Sequence, residues 1–235
     1  EPIGIYTAFE ELNSILKKVK PRINQPLGTI ISGRGVYRLS TKALNEHPEI
    51  EDIQSKGHKF DVGTGAFQKL EGIVFFKEKP LDKNEYVKFL GLVKGKRVWY
   101  WARKDFQDPP DSFYTFKVFI PEANGSGALG EVLSTPLIGA TETFLSIGAF
   151  ATEGEAANCL KYVKSKFART MLGVLKITQH NTREKWQYVP LQDFSSSSDI
   201  DWSQSVADID RQLYAKYGLS AEEIAFIESH VKEMT

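Results

Sequence analysis

Between residues 161 and 190 the chain carries Lys161, Lys164, Lys166, Arg169, Lys176, Arg183 and Lys185 against one acid, Glu184. Seven cations against one acid give a local balance of +6 in a chain whose formal net charge is zero. Gln179, His180, Asn181 and Thr182 lie among them, with aromatic Trp186 and Tyr188. Cations can hold a phosphate backbone while amides read base edges in a groove, so this mixture suits duplex DNA. The plainer reading is a solvated helix face running into a polar loop, and composition alone favours it.

Other patterns suggest chemistry and fall short of it. Gly125-Ser126-Gly127-Ala128-Leu129-Gly130 has the G-x-G-x-x-G spacing of a dinucleotide-binding loop and follows a predicted strand. A long helix should open there, but residues 131–135 are few and Pro136 interrupts them. Glu155, at a plausible distance for a ribose-binding acid, is better explained by helix capping. A tight turn or a backbone–phosphate contact is the better reading. Asp108-Pro109-Pro110-Asp111 is similar to the Asp/Asn-Pro-Pro-aromatic loop of amino methyltransferases, which holds a flipped base. Its fourth position is acidic, so the stacking face is missing and a turn is expected. Asp199, Asp201 and Ser203 begin like a calcium loop, but Gln204 stands in the glycine position and Asp210 in the glutamate position.

His47, His58, His180 and His230 are scattered, and Cys159 is the only cysteine. Neither an internal disulfide nor a multi-cysteine zinc cluster is expected. No nuclease core and no serine or cysteine nucleophile motif can be assembled, so no catalytic centre is expected on this chain.

The elements that would position these residues follow from periodicity and caps. A helix is predicted over residues 6–20, with Phe9, Leu12, Ile15, Leu16 and Val19 at helical spacing and Pro21 ending it. Strands are predicted at 27–32, 72–77, 97–103, 116–121, 143–150, 173–178 and 186–191, with a basic turn at Ser32-Gly33-Arg34-Gly35. One long helix is predicted over 153–172, with Thr152 and Glu155 at capping-box spacing and Gly173 past its end. Ala156, Leu160, Val163, Phe167 and Met171 make its apolar stripe. After four serines at 195–198, two short helices close the chain; one ends before Gly218, and Ser220 with Glu223 opens the other. Strands and helices without strict alternation predict an α+β class. We expect a single mixed domain over residues 1–198 and a C-terminal helical extension over 199–235, packed on that domain or on a neighbour.

With 235 residues, 41% apolar and 26% charged, the chain is long enough for a substantial core. No run approaches the roughly twenty apolar residues of a membrane span, and no signal peptide is apparent, so the cytoplasm is the expected compartment. The chain opens at Glu1 without a methionine, as a piece of a longer protein would. Zero net charge argues against indiscriminate coating of nucleic acid. The charge is nonetheless uneven: residues 88–104 hold Lys88, Lys94, Lys96, Arg97, Arg103 and Lys104 with no acid. Residues 191–235 hold nine acids against Arg211, Lys216 and Lys232. Two basic zones and an acidic tail suggest one side that faces a polyanion and one that does not.

From residue 117 onward the chain resembles a known family. The resemblance is carried by the block from Lys117 to Glu131 (KVFIPEANGSGALGE), by Lys166-Phe-Ala-Arg169, by Lys176-Ile-Thr-Gln-His-Asn181 and by the stretch WQYVPLQDF from Trp186 to Phe194. The ending, with Ser198-Asp-Ile-Asp-Trp-Ser203 and Gln212-Leu-Tyr-Ala-Lys-Tyr-Gly-Leu219, also looks like that family's C-terminus. The family is that of adenine-specific DNA methyltransferases of bacterial type II restriction-modification systems, some fused to an endonuclease (type IIG). There this region follows the methyltransferase domain and acts as the target-recognition domain. Gly35-Val-Tyr-Arg-Leu-Ser-Thr41 is the nearest match to the family's Phe-Gly-Leu-Thr-like segment, and over 27–104 the likeness is weaker. The glycine motif for S-adenosylmethionine and the Asn-Pro-Pro-Tyr loop are absent from the sequence.

The resemblance therefore implies the DNA-reading part of a restriction-modification enzyme, a type II restriction enzyme or DNA methyltransferase without its catalytic part on this chain. Its partners would be double-stranded DNA and the methyltransferase region, with a nuclease region if one is fused. S-adenosylmethionine, and magnesium for a nuclease, would belong to the parent protein. In that reading Lys164, Lys166, Arg169, Lys176 and Arg183 hold the DNA backbone, helped by Lys94, Lys96 and Arg97. Arg34, Arg38, Gln179, His180 and Asn181 are the candidate base readers, since arginine pairs well with guanine and amides with adenine. Asn124 and Ser126, in the glycine loop, either approach a phosphate or shape a turn. The alternatives are a protein-docking module using the acidic helices, and a nuclease or nucleotide-binding protein using residues 125–130.

Overall fold

A computed structural model describes residues 9–123, 132–175 and 180–234. In chain order the helices are α1 (Glu10–Val19), α2 (Thr41–Glu46), α3 (Ile50–Ile53), α4 (Ala66–Lys69), α5 (Glu153–Lys164), α6 (Lys166–Gly173), α7 (Val206–Tyr217) and α8 (Ala221–His230). The strands are β1 (Arg38–Leu39), β2 (Phe75–Phe76), β3 (Tyr86–Val93), β4 (Lys96–Arg103), β5 (Gln107–Asp108), β6 (Phe116–Pro121), β7 (Val132–Ser134), β8 (Ile138–Ala140) and β9 (Phe144–Phe150). The class is α+β, with helices at the C-terminus. The described residues gather into two compact units, 9–31 with 154–234 and 32–123 with 132–153. None of their helices is long and apolar enough to cross a membrane.

The strands belong to the second unit and form three small sheets, ordered β1-β5, β2-β4-β3-β8 and β7-β6-β9. Period-two alternation builds the central sheet. Val87, Phe89, Tyr100 and Ala102 point to one face and are buried. There Phe67 stacks on Tyr100 with centroids 4.4 Å apart, and Phe75 meets both Phe67 and Phe89. The rings lie so close to the backbone that a Cβ on Gly139 would stand 2.4 Å from Phe89, and one on Gly91 2.6 Å from Phe67. β3 and β4 pair antiparallel from Tyr86↔Arg103 to Val93↔Lys96. Lys94 and Gly95 join them with φ of 51° and 73°, the left-handed pair that a two-residue hairpin turn requires.

Lys117 on β6 is fully buried. Its ammonium donates to the carbonyls of Thr115 (3.2 Å), Phe113 (3.4 Å) and Thr135 (3.5 Å). The rings of Phe113 and Phe119 flank it at 5.9 and 5.6 Å. Carbonyl dipoles and ring faces are the counterparts of this cation.

In the first unit, α1 buries Ile15, Leu16 and Val19. Ser220 and Glu223 form the expected capping box of α8, and Glu223 also accepts from Ser14 (2.6 Å) and Lys18 (2.7 Å) of α1. α7 ends at Gly218 in the left-handed conformation. Cys159 on α5 is fully buried, and burial pushes its thiol pKa up.

Several local expectations are corrected. The single helix over 153–172 is two helices, because Ser165 leaves the helical conformation (ψ 146°) and caps α6 through Ala168 N–H. Residues 27–30 form a 3-10 turn and not a strand. Residues 183–186 do the same, and only Pro190 bridges to Pro26 where a strand over 186–191 was predicted. Of the strand predicted at 173–178, Gly173 closes α6 and residues 174–175 form a turn; the rest lies outside the described residues.

Burial lowers the Lys117 pKa to about 8, against ~10.4 for a solvated lysine. Between those values the unfolded chain holds more protons than the folded one, so this side chain favours folding increasingly as pH rises. The stability difference between wild type and Lys117→Met should shift by about 2 kcal/mol in favour of wild type between pH ~7 and ~9.5. Denaturant titrations at the two pH values measure it, and a pH-independent difference would contradict the shifted lysine.

Candidate nucleic-acid interface

The basic residues of α5 and α6 sit on a break whose amides need acceptors. Asp210 of α7 supplies them, accepting from Lys166 N and Phe167 N, each at 2.9 Å. Burial outweighs these two bonds and raises the Asp210 carboxyl to about 6. The cations nearby turn toward the C-terminal segment of their own unit. Lys161 donates to the carbonyls of Trp202 (2.6 Å) and Gln204 (3.1 Å). Lys166, only 13% exposed, pairs with Glu228 of α8, which also accepts from Tyr214 at 2.9 Å. Arg169 donates to the Lys232 carbonyl at 2.7 Å. Lys164 is partly buried and lines a pocket of about 250 Å³ with Lys166, Asp210 and Glu228.

This arrangement differs from the phosphate clamp expected at Lys166 and Arg169, because Lys166 answers Glu228 and Arg169 donates to the Lys232 carbonyl. Asn181 differs too. Its residue is fully buried and its carbonyl accepts from Trp186 Nε1 at 3.3 Å, so as placed it shapes the turn at 183–186 and offers no edge to a base. His180 and Arg183 are exposed; Arg183 lies 3.3 Å from Glu184. The backbone there is tightly packed, since a Cβ on Gly28 would stand 2.4 Å from the Arg183 carbonyl oxygen. Asn124, Ser126, Lys176 and Gln179 lie outside the described residues, as does the glycine loop at 125–130.

In the sheet unit, both candidate arginines have carboxylate partners. Arg34 lies 3.2 Å from Glu142, and Arg38 lies 3.3 Å from Asp61, over the Phe60 ring at 5.9 Å. Glu142 also accepts from the Thr64 N–H and hydroxyl at 2.9 Å; these bonds and Arg34 hold its carboxyl below the usual range despite partial burial. Any base contact by Arg34 or Arg38 competes with these pairs.

Lys94, Lys96 and Arg97 are all exposed, clustered at the turn of the β3–β4 hairpin. Lys94 and Lys96 make no ion pair among the described residues. Below the turn, the outer face of the hairpin alternates in register as Lys88↔Trp101, Leu90↔Trp99 and Leu92↔Arg97. Trp99 is 42% exposed, and Lys88 and Lys79 stand 5.3 and 5.5 Å from the Trp101 ring centre. Lys88 stands out in sequence only as part of the acid-free basic zone, and Lys79, Trp99 and Trp101 do not stand out there. The signal was there in Val98-Trp99-Tyr100-Trp101-Ala102, whose alternation puts both tryptophans on the face opposite buried Tyr100. No group of three or more His, Cys, Asp or Glu among the described residues could hold a metal ion.

If Lys166 is a structural partner of Glu228, Lys166→Glu sets two carboxylates against each other in a partly buried place. The expected outcome is a loss of about 1–2 kcal/mol of stability, with Lys166→Met costing less. Thermal melts followed by circular dichroism check this; an unchanged melt for both variants would remove the pair from the packing of α8.

No protein-family model, no curated protein and no solved structure matches this chain.

Proposed function

We propose that the chain is a DNA-recognition module of a restriction-modification enzyme, and that it grips duplex DNA chiefly through the β3–β4 hairpin. In this reading a separate catalytic region carries out adenine methylation, and cleavage where a nuclease is fused. Beyond the resemblance from residue 117 onward, one observation supports the DNA reading: Lys94, Lys96 and Arg97 crowd the exposed turn of an eight-residue antiparallel pair. The hairpin and its flank from 88 to 104 contain no acid in sequence. Beyond its pairing with β8 and β2 the tip of the hairpin is two-stranded, a ribbon that fits the major groove of B-DNA (about 12 Å wide), and lysines there meet phosphates on either side. Backbone contacts of this kind fix register, while side chains on the ribbon reach base edges.

The docking alternative draws its support from an acidic tail available to a neighbour. Glu228 and the Lys232 carbonyl are instead engaged by Lys166 and Arg169 of the same unit, which weakens that reading.

Anisotropy of a labelled random duplex across a salt series tests the proposal. Affinity should fall steeply with salt. Lys94→Glu with Lys96→Glu should weaken binding at least tenfold and lower the slope of log Kobs against log salt by roughly 2, one unit per lost phosphate contact. Binding unaffected by the double reversal, with the fold intact, would remove the hairpin from the interface.

A further inference from the structure

Resting on the nucleic-acid reading of the same sheet, we infer that the outer face of the β3–β4 hairpin is a stacking platform for unpaired bases, so that the chain binds single-stranded nucleic acid there. Two tryptophans two residues apart on one strand project from the same face, roughly 7 Å apart along it. Trp99 is exposed and Trp101 half-buried, so ring surface on this face is open to a ligand. Cations surround the rings: Lys79 and Lys88 at Trp101, and Arg97 next along the same face toward the turn.

Aromatic faces interleaved with cations suit single strands, because every base has a π-face and every nucleotide a phosphate. A protein partner of apolar chemistry fits poorly, since Lys88 would be desolvated without a carboxylate to meet it. The charge also sets a direction. The far end of the hairpin holds acids, with Asp82 bonded to Tyr86 at 2.8 Å and Glu85 to Lys104 at 2.9 Å. A strand would therefore run from Trp101 toward the basic turn and away from those acids.

Tryptophan emission gives a direct readout. The chain has four tryptophans, and Trp186 and Trp202 are buried, so quenching by an oligonucleotide reports on Trp99 and Trp101. The probes are an oligothymidylate of about twelve nucleotides and a blunt duplex of equal length, at low salt. Oligothymidylate should bind and quench. Trp99→Ala should weaken that binding roughly tenfold, and Trp99→Phe, which keeps a stacking ring, should restore it. Circular dichroism confirms the fold of each variant. Oligothymidylate binding that is indifferent to Trp99→Ala, or no oligothymidylate binding at all, overturns the platform. If the duplex still binds and loses affinity on Lys94→Glu with Lys96→Glu, the hairpin reading survives that result; if neither probe binds, both readings fall.

Discussion

A helix that begins must find acceptors for its first, unpaired amides, and much of the helical unit is organised by how this is met at Ser165. Ser165 caps one amide and Asp210 takes two more, which ties the start of α6 to α7. Once that junction is fixed, Lys166 and Arg169 lie where the C-terminal segment can answer them, through Glu228 and the Lys232 carbonyl. Glu223 plays a matching part at α8, capping its own helix while holding Ser14 and Lys18 of α1. Buried carboxylates that each satisfy several donors make this unit specific as well as cohesive.

The sheet unit answers a different constraint. Its core is aromatic, and the rings of Phe67 and Phe89 need the missing side chains of Gly91 and Gly139 to reach the backbone. Packing of this density fixes the pleat, so the inner residues of β3 and β4 dictate which residues face out. Trp99, Lys88 and Arg97 are thus displayed by the burial of Phe89, Tyr100 and Ala102 on the other side. A rigid sheet carrying exposed aromatics and cations can bind a polyanion without first paying to order the binding surface.

What could be read from sequence followed the strength of local signals. Ser220 with Glu223, Gly218 after Tyr217, and the alternating or continuous apolar runs of β4, β6 and β9 are local chemistry, and each stands where expected. The break at Ser165 escaped because the apolar stripe continues through it; Val163, Phe167 and Met171 are all buried on either side. Residues 27–32 and 186–191 have apolar and aromatic content that suits strands, but Gly28 packs directly against the Arg183 carbonyl, and 27–30 and 183–186 coil into short turns. β3 was overlooked although Lys94-Gly95 could form its turn. For the site, Lys94, Lys96 and Arg97 are exposed, yet charge alone could not foresee that Lys166 would be matched by an acid far along the chain; Lys166 and Glu228 are 62 apart. Burial of Asn181 was equally invisible, since its neighbours in sequence are polar.

The placement of Cys159 has an experimental consequence. The only thiol of the chain lies inside the helical unit, fully enclosed and chemically quiet, while the sheet unit has none. A thiol reagent therefore cannot react until α5 leaves its packing. The time course of labelling in mild denaturant becomes a clock for the opening of that unit alone.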